Sequence, residues 1–327
     1  MNNIYNNNID NQAQFNYCNS NITLFGMMNK NCSLSQYIPL TFYKTKSQNN
    51  IVICNPKLKF IDVMCNTLSM DCLSKNVYKK ISFMYCNDNI KKQLLSNSYI
   101  KDNYSITSYK EEEIVSVLDY NYFENPTDTN FMVGNKYKEL RPYIKRYKSI
   151  IKVKNIFKSK DDVIEMLDKW KDNETCGKKY GIRCRVGVDK ALVERYTSGI
   201  FGSNEVIGFA FYAYNKELKK DTCIGYVITS KEPNNMVDSY PVFSYMCRKV
   251  LNNIGYRNLT EYIDWYVFNH LYKLYCWKYK NAPKQIFINW GCSSGGVKWY
   301  KEHKWPLYKK ETKWFYNLKY KEENNKN

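Results

Sequence analysis

Histidine is nearly missing from this chain: His270 and His303 are the only two in 327 residues. Zinc sites of the common Cys/His kind need imidazoles or closely spaced thiols, yet no two of the twelve cysteines stand two residues apart. No metal site and no paired-thiol redox motif is therefore expected. The cysteines are scattered from Cys18 to Cys292, a spacing that suits reduced and mostly buried thiols. No run approaches the roughly 18 apolar residues of a membrane-spanning helix. The start, MNNIYNNNID, lacks the apolar stretch of a secretory signal. The expected location is the cytoplasm, the host's if the chain is phage-encoded. Glycine (13) and proline (8) are too few for a fibrous or low-complexity chain.

Acidic residues are also short. Asp and Glu number 31 against 50 Lys and Arg, a formal net charge of +19. Part of that excess belongs to the same AT-rich coding bias that raises Asn, Ile and Tyr. The remaining positive field attracts polyanions: nucleic acid (tRNA or DNA), an anionic lipid surface or a phosphorylated cofactor. Length points to one large or two medium domains.

Residues 1–20 are Asn-rich. Short apolar runs follow at Ile22–Phe25, Ile51–Cys54, Phe60–Met64 and Ile81–Cys86, with NIVIC at Asn50–Cys54 reading as a strand before Asn55-Pro56. Helices are expected at Asp88–Ser98 and Lys110–Leu118. In Gly134–Ser149, Tyr137, Leu140, Ile144 and Tyr147 recur at three- and four-residue steps, an apolar stripe beside Lys and Arg faces. Pro142 there implies a kink or a late helix start. The domain junction is placed at this point, giving units 1–149 and 150–327.

The second half is expected to run strand (Ile150–Ile156), helix from Ser159, helix Asp189–Tyr196, a hairpin of Val206–Tyr214 and Cys223–Thr229, helix Ser239–Asn252 and a helix from Thr260 to about Lys280. Strand Gln285–Asn289, helix Gly296–Lys304 and strand Trp314–Tyr320 complete it. That order describes an α/β layout with a mixed sheet.

The most informative stretch is Phe287–Pro306, FINWGCSSGGVKWYKEHKWP. An apolar strand enters a turn of small residues and then a helix. Such a turn lets a ligand approach main-chain N–H groups, and the helix start adds partial positive charge. Gly291, Ser293, Ser294, Gly295 and Gly296, with Lys298, are the candidate donor- or phosphate-binding set. An ordinary strand-to-helix turn explains the same residues, because they fit neither the dinucleotide fingerprint nor the P-loop.

Asn289, Gly296, Lys298, Lys301 and Pro306 resemble the closing "Asn…Gly…Gly-Leu-Arg-x-x-Lys…Pro" motif of phosphatidylglycerol lysyltransferase C-terminal-like domains. Gly134, Lys136, Tyr137, Arg141, Ile144, Lys145, Arg146 and Tyr147 resemble that family's "Gly-Lys-Lys-Tyr…Arg…Ile-x-x-Phe" segment, and Trp170 falls where the family often has Trp. The resemblance spans about residues 118–320. Two departures stand out: no acid lies in Trp290–Ser294, and Lys298 replaces an Arg, losing its bidentate geometry. The family's membrane-spanning half is absent.

The resemblance implies a GNAT-like mixed sheet flanked by helices, as two GNAT-like units in tandem. It also implies transfer of an acyl or aminoacyl group from acyl-CoA or aminoacyl-tRNA to an amine or hydroxyl, with no permanently bound cofactor. Such transfer requires positioning and oxyanion stabilisation more than covalent chemistry. Candidate catalytic residues are Asn289, Lys301, Glu261 and Asp264, with Asp238 a further possible base. Glu261 and Asp264, three apart on one helix, read equally as solvated surface acids. Cys292 in the turn is a candidate nucleophile without an evident His partner. Arg141, Lys145, Arg146, Arg183 and Arg185 are candidate polyanion contacts. The favoured acceptor is nucleic acid, through DNA base modification of a phage type or tRNA-dependent transfer. The alternatives are an anionic lipid or peptide acceptor, and a non-catalytic nucleic-acid-binding module.

Overall fold

The computed structural model describes residues 32–38, 42–45, 50–54, 80–123, 130–173, 186–198, 206–237, 240–251, 255–278, 285–293 and 295–321. The runs Ile22–Phe25 and Phe60–Met64 lie outside them.

Strand β7 shows why the sheet forms. Its run VIGFAFYAYN (Val206–Asn215) is apolar at nearly every position, as a strand covered on both faces must be. Phe209, Phe211 and Ala213 pack into one core with α3 (Leu140–Ile150) and α6 (Leu259–Lys278). Val206, Ala210 and Tyr212 face the opposite way, onto α4 (Lys160–Asn173) and α5 (Val186–Thr197). The period of two thus places one helical layer on each side. The stripe Tyr137, Leu140, Ile144 and Tyr147 is buried as its spacing predicts. Pro142 is the third residue of α3, where its missing N–H costs no intrahelical bond, so the late start holds.

Among the described residues, eleven strands form one mixed sheet in the order β1-β2-β3-β4-β11-β5-β10-β9-β8-β7-β6. The N-terminal strands are β1 (Cys32–Ile38), β2 (Phe42–Thr45), β3 (Asn50–Cys54), β4 (Lys80–Cys86) and β5 (Tyr104–Asp119). Helices α1 (Asp88–Ser96) and α2 (Ser98–Asn103) lie between β4 and β5, capped by the side chains of Asn87 and Asn97. After β6 (Lys152–Asn155) and β7 come β8 (Lys220–Val237), β9 (Tyr240–Val250), β10 (Gln285–Ser293), α7 (Gly295–His303) and β11 (Leu307–Tyr320). Two neighbouring pairs are parallel, β3–β4 and β9–β10, and helix α6 makes the crossover of the second. The mixed sheet flanked by helices that the sequence implies is present.

Two expected helices are strands. Lys110–Leu118 lies inside β5, paired with β10 on one side and β11 on the other. Ser239–Asn252 is replaced by β9, between β8 and β10. Both segments sit near the middle of the sheet, where apolar side chains are wanted on both faces and alternation is lost. The C-terminal strand β11 does not stay with residues 150–327. It inserts between β4 and β5, so one hydrogen-bonded sheet crosses the 149/150 boundary. No helix among the described residues is long and apolar enough to cross a membrane.

Candidate active site

The parallel pair β9–β10 is short. Val242, Phe243 and Ser244 oppose Phe287, Ile288 and Asn289, and there the pairing ends. Beyond it β9 runs on to Val250 against β8 alone, while β10 runs on to Ser293 against β5 alone. The two strands therefore part, and among the described residues the edge of β9 that faces β10 has no strand partner beyond Ser244.

Side chains from four elements meet at the parting. Tyr245 and Trp290, the first residues past the pairing, bring their rings to 4.9 Å. Phe268 of α6 and Trp305, just after α7, pack behind, their rings 5.2 Å apart. Amid these rings lies a carboxylate. Asp264 has a side-chain exposure of 0%. It accepts from Tyr245 Oη at 2.8 Å, Tyr300 Oη at 2.7 Å, Trp305 Nε1 at 3.2 Å and, on both oxygens, from Arg248 Nη1. A buried charge survives only when paired and hydrogen-bonded, and Asp264 is both. Burial pushes the Tyr245 and Tyr300 hydroxyls well above their ordinary pKa, and the Asp264 charge adds to it, so both remain proton donors.

Asp264 is thus not a surface acid of α6, and its lone pairs are engaged. Glu261, one turn earlier, is buried as well, with Oε1 held by Lys304 Nζ at 2.9 Å. Its charge reaches Tyr300, placing it beside the same cluster. The solvated reading of both acids is corrected: the face they share points inward.

The bend after Asn289 forms by local chemistry. Asn289 Oδ1 accepts from the Gly291 N–H at 2.8 Å, an Asx turn, and Gly291 takes φ +64, which glycine adopts without strain. Apart from its chain neighbours, no atom of the described residues lies within 4 Å of where a Gly291 Cβ would stand. The lysines expected to face a ligand are already engaged. Lys298 Nζ pairs with Glu112 at 2.6 Å, and Lys301 Nζ donates to the Trp290 carbonyl. Gly295 and Gly296 open α7, and Ser293 ends β10 opposite Glu112. Ser294 lies outside the described residues, as does the side chain of Cys292.

A polar network that the sequence did not reveal lies under the bend. Asn289 Nδ2 donates to Glu113 Oε1 at 3.0 Å, and Glu113 Oε2 pairs with Lys313 Nζ at 3.3 Å. Burial works to lower the Lys313 pKa, but Glu113 and Glu311 outweigh it and hold the ammonium above the usual lysine range. Trp290 Nε1 donates to Ser116 Oγ at 2.9 Å.

Of the expected polyanion contacts, Arg141 is used internally. Its Nη1 donates to the carbonyls of Met132 at 2.8 Å and Gly134 at 3.2 Å, holding a turn in which both residues have positive φ. Lys145 and Arg146 are exposed on α3. Arg183, Arg185 and Asp238 lie outside the described residues. His303 is exposed and stacks on Trp299 at 4.9 Å. Among the described residues no group of three His, Cys, Asp or Glu side chains is placed to hold a metal.

Arg248, Tyr245 and Tyr300 were missed by sequence reasoning. For Tyr245 and Arg248 the signal was a lone arginine in the aromatic and apolar run YPVFSYMCRKV, hidden while that run is read as a helix.

No family model matches the chain, and no curated protein does either. Solved structures do resemble it. A conserved protein of unknown function from Bacteroides thetaiotaomicron superposes with a TM-score of 0.52 at 14% identity, over 93% of this chain and 90% of that one. FemX superposes with a TM-score of 0.46 at 9% identity, over 92% of this chain and 96% of that one. A tandem GNAT protein from the clavulanic acid biosynthesis pathway gives 0.45 at 9% identity, over 85% of this chain and 77% of that one.

Proposed function

We propose that the chain is an acyl- or aminoacyltransferase whose reacting groups meet where β9 and β10 part. One observation carries this reading: the parallel pair stops at Ser244 and Asn289, leaving a main-chain edge on β9 without a strand partner among the described residues, beside a buried, charged cluster. An unpartnered edge offers fixed N–H groups to a polarised carbonyl, and fixed donors in a water-poor site are what an acyl-transfer transition state requires. The donor is an activated acyl group, carried on CoA or on tRNA, and the acceptor an amine or hydroxyl. Glu261 is the base in this reading, because Asp264 has no lone pair to spare. Asn289 shapes the bend, and Lys301 fixes the Trp290 carbonyl rather than a phosphate. Gly291, Ser293, Gly295 and Gly296 supply main chain at the opening.

A nucleic-acid partner is supported by the net charge of +19 and by the exposed Lys145 and Arg146. The carrier of the acyl group and the acceptor are both open to nucleic acid on that ground. An anionic lipid or a peptide acceptor, or a binding module without turnover, are the competing outcomes.

The test is single-turnover transfer from radiolabelled acetyl-CoA and from aminoacyl-tRNA to a panel of amine, hydroxyl, DNA and lipid acceptors. Product formation is expected, with Glu261→Gln lowering the single-turnover rate about 10²-fold or more while circular dichroism shows the fold retained. A protein that binds tRNA or DNA with a steep inverse salt dependence and transfers nothing is the binding module, and the transferase reading is then wrong.

A further inference from the structure

Asp264 occupies one nitrogen of Arg248. Nη1 alone serves both carboxylate oxygens, and Nε and Nη2 have no hydrogen-bond partner among the described residues. The guanidinium is nonetheless largely withdrawn from water, with 18% side-chain exposure. It lies over the Tyr300 ring at 4.9 Å and near those of Tyr245 at 5.8 Å and Trp290 at 6.0 Å. Arginine stacked on rings and pinned by one nitrogen keeps a fixed plane, with little left to lose in rotamer freedom on meeting a ligand. Its Nε–Nη2 edge is the fork that accepts a carboxylate or phosphate through two parallel hydrogen bonds.

We propose that the Nε–Nη2 edge of Arg248 is a receptor for a substrate carboxylate. This deepens the transferase reading and rests on it: the acceptor is then a carboxylate-bearing amine or hydroxyl compound of the amino-acid kind, oriented by its carboxylate at the parting of β9 and β10. Local charge favours a monoanion over a phosphate dianion. Asp264 cancels Arg248, Glu261 cancels Lys304, and Lys301 is committed to the Trp290 carbonyl. The three rings offer an apolar wall to the rest of the molecule. Arg248 acts here by binding. Tyr300 and Asp264 position it.

The experiment follows the Arg248 Nε–H resonance by NMR in the full chain. The resonance is identified by its loss in Arg248→Lys, which keeps a cation against Asp264. Acetate, L-alanine and inorganic phosphate are titrated separately. The expected result is a saturable shift with acetate or L-alanine, weaker with phosphate, and at least about tenfold weaker carboxylate binding by Arg248→Lys when read by calorimetry, as befits loss of a bidentate contact. Tyr300→Phe leaves the fold in place and weakens binding less. No shift with any of the three, or a shift with phosphate alone, overturns the carboxylate receptor. Binding is read without turnover. Carboxylate binding with no transfer therefore removes the transferase reading alone, and transfer with no carboxylate effect at Arg248 removes this inference alone.

Discussion

Asp264 is the residue on which the centre of the molecule depends. Five hydrogen bonds from four side chains converge on it, and the ring system around it excludes water. Asp264→Asn removes the charge and leaves Arg248 an uncompensated buried cation. Urea unfolding is expected to show a loss of about 3–5 kcal/mol, whereas removing one donor by Tyr300→Phe costs about 1.5–3 kcal/mol. A loss below about 1 kcal/mol for Asp264→Asn would mean that water reaches the pair, and that the cluster is not the sealed unit its burial implies. The residue types were on the page in the sequence, but their partnership was not: Tyr245, Arg248, Asp264, Tyr300 and Trp305 span 61 positions from first to last numbered residue, counting both ends. Spacing along one helix put Glu261 and Asp264 on a common face, and that much was legible. Whether the face looked outward or inward depended on what the other elements brought to it.

At the scale of elements, β11 is the tie between the two halves of the chain. It pairs with β5 along nearly its whole length, from Leu307 against Ser116 to Tyr320 against Tyr104, and with β4 on its other edge. A central strand cannot give up a ladder N–H. Asn317→Pro, at a position paired with Thr107 on one side and Ser82 on the other, is expected to prevent folding of the whole molecule rather than to loosen its end. Circular dichroism and limited proteolysis check this. Stable N-terminal structure surviving in the variant would show that β1–β5 fold without β11. The elements that periodicity identified well were those with one wet face, such as α3 and α4, where apolar and charged positions separate. Lys110–Leu118 and Ser239–Asn252 were misread for a physical reason. A strand buried on both faces shows no alternation, and KEEEIVSVL carries a helix-like spacing of apolar residues that only pairing with β10 and β11 overrides.

For the whole molecule, burial of proton donors sets an upper limit in pH. Burial pushes the hydroxyls of Tyr196 and Tyr316 up to about 12, from an ordinary value near 10. The thiols of Cys223 and Cys247 rise to about 12 from near 9 by the same cause. Each group holds its proton more tightly when folded, so its contribution is intact below the unfolded value and is lost as pH rises through the folded one. Stability is therefore expected to fall from about pH 9 and steeply between 10 and 12, measured as urea midpoints across that range. A midpoint that stays level to pH 12 would mean these groups ionise without unfolding. The same shift makes Cys223 and Cys247 unreactive towards iodoacetamide near neutrality unless the chain is unfolded.

The sequence by itself determined the class of the protein: a basic α/β chain, a core patterned at periods of two and 3.6, and a small-residue bend after Asn289. Tertiary structure alone decided which polar residues meet. Strand order, set by hydrogen bonds between segments as distant as β5 and β11, brought Arg248, Asp264 and Tyr300 to the point where β9 and β10 separate. It also spent Lys298 and Lys301 on partners within the protein. A sequence lists its charges, but only the fold determines which of them neutralise one another and which are left facing a substrate.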